Sequence, residues 1–228
     1  MEDRRSKVDF DVIADRYDLW YENAEGAMYD RLEKKAISKY IPRNVKGMKL
    51  LEIGCGTGHW SRFFCEHGFE VTGVDVSERM INIAQNKNVP NASFEIADGR
   101  SLPFDDCSFD LAAAITTLEF VDSAELVVHE MVRCTRKPAG KLLIGVLNAL
   151  ARLNRKRQRN PDSLYAEARL FSPRLLKRFL ERYGQTTIMT AAFVPARMRH
   201  IPLSPLIDMV GCLLHLPYGV FIAAEVRL

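Results

Sequence analysis

The chain has 228 residues, enough for one α/β domain with some elaboration and a substantial core. Hydrophobic residues make up 47% and charged residues 27%, a balance that excludes a disordered chain. The formal net charge of +3 is too small to argue for nucleic acid. The first residues, "MEDRRSKVDFDVIADRYD", are charged and lack an apolar centre, so no signal peptide is expected. Residues 1–48 read as an N-terminal helical cap, with an aromatic, acidic stretch that contains Tyr17, Trp20, Tyr21 and Tyr29. "KLLEI" (Lys49–Ile53) reads as a buried strand, and "HWSRFFCEHG" as a helix that Gly68 ends. "EVTGVD" (Glu70–Asp75) is a second strand, followed by a helix that Ser77 caps. "SFEIAD" (Ser93–Asp98) and "FDLAAAI" (Phe109–Ile115) are the third and fourth strands, and "AELVVHEMVRCTR" is a helix. "KLLIGVLN" (Lys141–Asn148) is the fifth strand. "SPRLLKRFLERYG" is a helix with Ser172 as cap, Pro173 at its first position and Gly184 as stop. "TTIMTAA" and "GVFIAAEVRL" close the set as sixth and seventh strands.

This alternation means a mostly parallel sheet covered on both faces. Residues 49–228 form the main domain, with a Pro-rich apolar insert at 193–219 in which "SPLIDMVGCLLHL" can be a helix. The five cysteines (Cys55, Cys65, Cys107, Cys134, Cys212) are scattered and odd in number. That argues for reduced thiols in a cytoplasmic compartment, with no zinc site or disulfide frame. No run reaches about 18 apolar residues, so no transmembrane span is expected.

The chemistry concentrates in "LLEIGCGTGHWSRFF" (Leu50–Phe64), where Gly54, Gly56 and Gly58 alternate two residues after Glu52. Glycines between a strand and its helix let a ligand approach the backbone without a Cβ in the way. The dinucleotide fingerprint G-x-G-x-x-G does not fit, because the third glycine comes one residue early and His59 stands where that pattern wants glycine. Glu52 would also set an anion near phosphates. An acid suits a ligand with an ammonium group and hydroxyls better. Asp75 ends a strand where a ribose-binding acid belongs.

E-x-G-x-G-x-G at Glu52–Gly58 resembles the first motif of class I S-adenosylmethionine-dependent methyltransferases. "VTGVDVSERMI", "FEIADGRSLPFDDCSFD" and "EMVRCTRKPAGKLLIGVLN" resemble the later segments of that family, so the likeness covers roughly residues 45–150. The nearest group is the type 11 domain set of small-molecule methyltransferases. The resemblance implies a doubly wound, mostly parallel seven-stranded sheet, Rossmann-like, under an N-terminal helical lid. It implies S-adenosyl-L-methionine as cofactor, with Asp75 on the ribose hydroxyls and Asp98 on the adenine amine. It further implies that Tyr17, Tyr21, Glu52, Gly54, Cys55, Gly56, Gly58, Val76, Met80, Gly99 and Ile115 complete the cofactor site, with Cys55 a small filler. No metal is implied.

Many relatives carry a histidine after the fourth strand; here "TTLEFVDS" has Glu119 and Phe120, so a histidine base is not carried over. Glu119 reads either as an exposed acid at a helix start or as a proton acceptor. His59 reads as a packing residue or a substrate contact. "RLNRKRQR" (Arg152–Arg159) has five basic residues in eight and reads as a solvated segment, or as a site for an acidic substrate or membrane surface. It lacks the interleaved aromatics that stack bases, so no nucleic acid partner is expected. The expected function is methyl transfer to a small-molecule acceptor; the alternative is a catalytically silent, cofactor-binding partner protein. The acceptor atom and the oligomeric state stay open.

Overall fold

The computed structural model describes residues 9–161, 163–194 and 203–228. One sheet contains β1 (Lys49–Ile53), β2 (Glu70–Asp75), β3 (Ala92–Ile96), β4 (Leu111–Ile115), β5 (Lys141–Leu147), β6 (Gln185–Ala191) and β7 (Phe221–Arg227). The strand order is β3-β2-β1-β4-β5-β7-β6. The first five strands pair in parallel, and β7 runs antiparallel to both β5 and β6. The expected doubly wound, seven-stranded, mostly parallel sheet is therefore the fold.

Alternate residues of each central strand serve opposite faces. Leu50 enters one core with Ala113, Leu143 and Phe221, which α3 (Ala24–Ser38) and α4 (His59–Glu66) cover with Ile37 and Phe64. Leu51 and Ile53 enter the other with Ala112 and Ile144, covered by Val127 and Met131 of α6 (Ala124–Cys134) and Leu180 of α8 (Pro173–Leu180). The helix starts follow the sequence signals. The Ser77, Ser123 and Ser172 side chains accept hydrogen bonds from the Met80, Leu126 and Leu175 amides; the first of these opens α5 (Glu78–Asn86).

Two expectations change in detail. The fourth strand starts at Leu111, because Phe109 makes only an isolated bridge to Thr135. The basic segment is helical: Arg152–Gln158 forms α7, which leaves Arg152, Arg155 and Lys156 exposed to solvent and turns Arg157 inward. Asn154 pins that helix to the sheet end, donating to the Asn148 and Val220 carbonyls at 3.0 and 2.7 Å. Within the insert, Ser204–Leu213 is α9, while residues 195–202 lie outside the described residues. Among the described residues, no helix is long and apolar enough to cross a membrane.

The N-terminal region contains two kinds of structure. A short 3-10 turn (Phe10–Ile13), α1 (Ala14–Tyr17) and α2 (Leu19–Glu22) have one buried residue between them, Ala14. In contrast, α3 buries Met28, Leu32, Ala36 and Ile37 in the core beside β6 and β7. Ile37→Ala should thus cost about 2–5 kcal/mol in urea unfolding. Leu19→Ala, at an exposed position, should stay within about 0.5 kcal/mol of wild type. Equal effects would contradict the division of the region into core helix and covering segment.

Candidate active site

β1 lies where the strand order reverses: β2 flanks it on one side and β4 on the other. A crevice opens there beyond the carboxyl ends of the strands. The chain leaving β1 is held on β2, because the Gly54 and Cys55 amides donate to the Val74 carbonyl at 2.8 and 3.0 Å. The Gly56 amide then donates to Asp75 Oδ2 at 2.9 Å, and the Ser77 amide to Asp75 Oδ1 at 3.0 Å. Each carboxylate oxygen keeps lone-pair capacity for a further donor. Gly56 has φ +52°, and a Cβ there would find only Tyr17 Cε1, at 3.9 Å, so its face toward the crevice is open. Gly58 differs. With φ +78° it starts α4, and a Cβ there would lie 2.9 Å from the Phe94 ring. It is needed for packing.

The 3-10 turn, α1 and α2 cross this crevice and are tied down by polar contacts. Ser77 Oγ donates to Asp11, and Arg79 pairs with Asp15. Thr57 Oγ1 donates to Asp18 at 2.7 Å, and Lys87 pairs with the same carboxylate at 2.6 Å. The Tyr21 ring stacks on His59 with centroids 3.6 Å apart.

Two cavities result, with about 670 and 1380 Å³ of free space, each including part of an open mouth. The first is walled by the glycine turn, the ends of β2 and β4, and the start of α5. The second lies under α1 and α2 and is lined by Trp20, Tyr21, Tyr29, Trp60 and Tyr165, with Glu33 and Arg157. Phe10, Tyr17, Thr116 and Phe120 line both, so the cavities adjoin.

Of the residues singled out in the sequence, Tyr17, Gly54, Gly56, Asp75, Val76, Met80, Asp98, Gly99 and Ile115 line the first cavity. Asp98 is also held by Arg100, whose Nε donates to Oδ1 and whose Nη2 donates to Oδ2. Tyr21 lines the second cavity, not the first. Glu52 is withdrawn behind the turn, where it accepts a 2.5 Å bond from Ser61 Oγ. Cys55 fills space against Phe94 and Ile81. These two residues and Gly58 are absent from both cavity walls.

His59 and Glu119 need correction as catalytic candidates. His59 Nε2 lies 2.7 Å from Asp30 Oδ1 and 2.8 Å from Lys34 Nζ, so the ring is a strut between α4 and α3. Glu119 is neither exposed nor at a helix start. It is fully buried in the turn before α6, where it accepts a hydrogen bond from the Leu147 amide. Neither side chain lines either of the two cavities. The acid on the wall of the second cavity is Glu33, which nothing in "YDRLEKKAIS" distinguishes from its neighbours. Burial, reinforced by Asp30, pushes its pKa up to about 8. Arg157 was one residue of the basic run, and only the helical turn of α7 directs it inward.

Such a sheet, with a glycine turn beside an acid-ended second strand, defines a Rossmann-like protein built to hold a nucleoside-bearing cofactor. Residues 51–144 match the model of the methyltransferase domain family. The chain is 29% identical over 177 residues to an uncharacterized protein of Methanocaldococcus jannaschii, covering 77% of this chain and 80% of that one. It is 33% identical over 115 residues to a ubiquinone biosynthesis O-methyltransferase of Coxiella burnetii, covering 48% of this chain and 49% of the relative. It therefore spans about half the length of that O-methyltransferase. A SAM-dependent methyltransferase structure from Thermotoga maritima shares the fold with a TM-score of 0.74, at 23% identity over 96% of this chain and 97% of that one. Haemonchus contortus phosphoethanolamine N-methyltransferase 2, solved with S-adenosyl-L-methionine, shares it with a TM-score of 0.63, at 16% identity over 96% of this chain and 60% of that one. Residues 51–144 thus match a methyltransferase domain, and the chain as a whole has the fold of solved S-adenosylmethionine-dependent methyltransferases.

The buried acids make stability depend on pH. Burial raises Glu52 and Glu119 from 4.5 to about 8 in the folded protein. Between these values the folded state holds protons that the unfolded state has released. Stability therefore falls as pH rises from about 4.5 to 8, by roughly 1 kcal/mol per pH unit per group, and levels off above. The thermal midpoint should be higher at pH 5 than at pH 8, and Glu119→Gln should shrink that difference. A midpoint that rises across this window would contradict the assignment of buried neutral acids.

Proposed function

We propose that the protein transfers a methyl group from S-adenosylmethionine to a small-molecule acceptor held in the aromatic cavity. The observation that carries this reading is the shared wall: Phe10, Tyr17, Thr116 and Phe120 border both cavities, so reactants in the two can meet. The first cavity suits the cofactor. Asp75, anchored by the Gly56 and Ser77 amides, offers its remaining lone pairs to the ribose hydroxyls. The open face of Gly56 admits the ligand against the backbone. Val76, Met80, Ala97 and Val121 supply an apolar bed for adenine, with Asp98 at its edge.

When bound, the cofactor supplies an electrophilic methyl carbon, which the acceptor's lone pair attacks in line with sulfur as the carbon–sulfur bond breaks. The chain's own residues orient and dehydrate. Tyr17 and Phe120 form the partition through which the reactants meet. The segment from Phe10 to Glu22 keeps water out, and its five ties to Thr57, His59, Ser77, Arg79 and Lys87 hold that geometry. Glu33, once ionised, takes the proton released by an O–H or N–H acceptor.

Asp75→Ala should weaken S-adenosylmethionine binding about tenfold to a hundredfold in calorimetry, because charge-assisted hydrogen bonds to the ribose are lost. Gly56→Val should abolish binding, both by filling the open face and by straining the positive φ. Unchanged affinity in the two variants would place the cofactor elsewhere.

A further inference from the structure

Arg157 has an unusual environment. Its side chain is 19% exposed, and its guanidinium carbon lies 5.2 Å from the centre of the Trp20 ring, 5.6 Å from Tyr29 and 5.3 Å from Tyr165. The nearest carboxylate oxygen, Glu25 Oε1, is 3.9 Å away, beyond hydrogen-bond reach. Among the described residues, no carbonyl or carboxylate accepts a hydrogen bond from its five N–H donors. Arg133, comparably buried, donates to the Leu102 and Phe104 carbonyls and to Glu130 and Asp106. Arg157 is thus a guanidinium held in place by ring faces, with unused donors on a cavity wall.

Charge on that wall favours an anion. Arg16 stands at the exposed mouth, and Arg157 lies within. The acid on the wall, Glu33, is largely neutral at pH 7 because burial raises it to about 8. Burial also raises the Tyr17, Tyr21, Tyr29 and Tyr165 phenols, so they remain neutral donors. An aromatic cage beside a carboxyl would otherwise suit an ammonium ion. Here a cation already occupies three of the rings, and a second would be repelled.

We propose that the aromatic cavity selects an anionic acceptor: Arg157 donates to the carboxylate or phosphate of a small molecule whose flat apolar body lies among Trp20, Tyr21 and Trp60. A guanidinium fork matches either oxyanion, and aromatic walls match an unsaturated or ring-bearing body. The proposal rests on the reading of this cavity as the acceptor site, and names the chemical class that site takes.

The sequence contains two tryptophans, and both line this cavity, so intrinsic fluorescence reports on its occupancy. The full chain, saturated with S-adenosylhomocysteine, is titrated with benzoate, phenyl phosphate, benzyl alcohol and benzylamine. Benzoate or phenyl phosphate should give a saturable change, with benzyl alcohol and benzylamine about tenfold or more weaker. The tighter of the two anions tells whether the site is made for carboxylate or phosphate. Arg157→Gln should weaken the anion about tenfold or more, Arg157→Lys should fall between, and Arg155→Gln, at an exposed position of the same helix, should leave it unchanged. Benzylamine binding as tightly as the anions, absence of saturable binding by either anion, or anion affinity untouched in Arg157→Gln would overturn the proposal. Should that variant fail to fold, Arg157→Lys decides, and full anion affinity in it counts against the guanidinium fork. Calorimetry with S-adenosylmethionine separates the two readings. Anion binding without cofactor binding removes the methyl-transfer reading and leaves this one standing.

Discussion

A hydrogen bond from the Gly56 amide to Asp75 Oδ2 joins the carboxyl ends of β1 and β2, and the site depends on it. It fixes the glycine turn at the place where the strand order reverses. It orients a carboxylate whose other oxygen is held by the Ser77 amide at the start of α5. One acid thereby positions a turn, a strand end and a helix start, and still offers lone pairs to the crevice. Burial works against its charge and the backbone amides work for it; the balance leaves its pKa raised. The carboxylate would be hard to maintain there without those amides.

The covering segment extends the same logic to the second cavity. Its helices are too short to be stable alone and bury little. It stays in place through contacts made one at a time along the turn, α4 and α5: Asp18 to Thr57 and Lys87, Tyr21 to His59, Asp11 to Ser77. Weakly buried, specifically tied segments are where local opening is expected, and substrates need such an opening to enter. Arg157 adds a further tie from α7, through ring contacts with Trp20 of the segment and Tyr29 of α3.

Strand identity was legible because continuous apolar runs such as "LAAAI" and "KLLIGVL" leave few alternatives in a sheet buried on both faces. The glycine triplet and Asp75 were legible as a set, since each carries a local backbone or terminal-strand constraint. The roles inside the triplet were not. Gly56 faces the crevice, while Gly58 is fixed by Phe94, a residue 36 positions away on β3. Glu52, Glu119 and His59 misled for the same reason. A charged side chain near a motif looks functional, but tertiary contacts with Ser61, Leu147 and Asp30 turn all three into supports. Glu33 went unnoticed, and Arg157 was legible only as one member of a basic run, because they come from α3 and α7 and only packing places them on one wall.

The account's central claim is that two adjoining cavities share one partition at Tyr17 and Phe120. A crystal structure of the protein with S-adenosylhomocysteine tests it most directly. The account predicts ribose hydroxyls on Asp75, adenine among Val76, Met80 and Val121, and the sulfur directed past Tyr17 and Phe120 toward the cavity that holds Glu33 and Arg157. Cofactor density with its ribose away from Asp75, or with the sulfur facing a wall closed to the aromatic cavity, would contradict it.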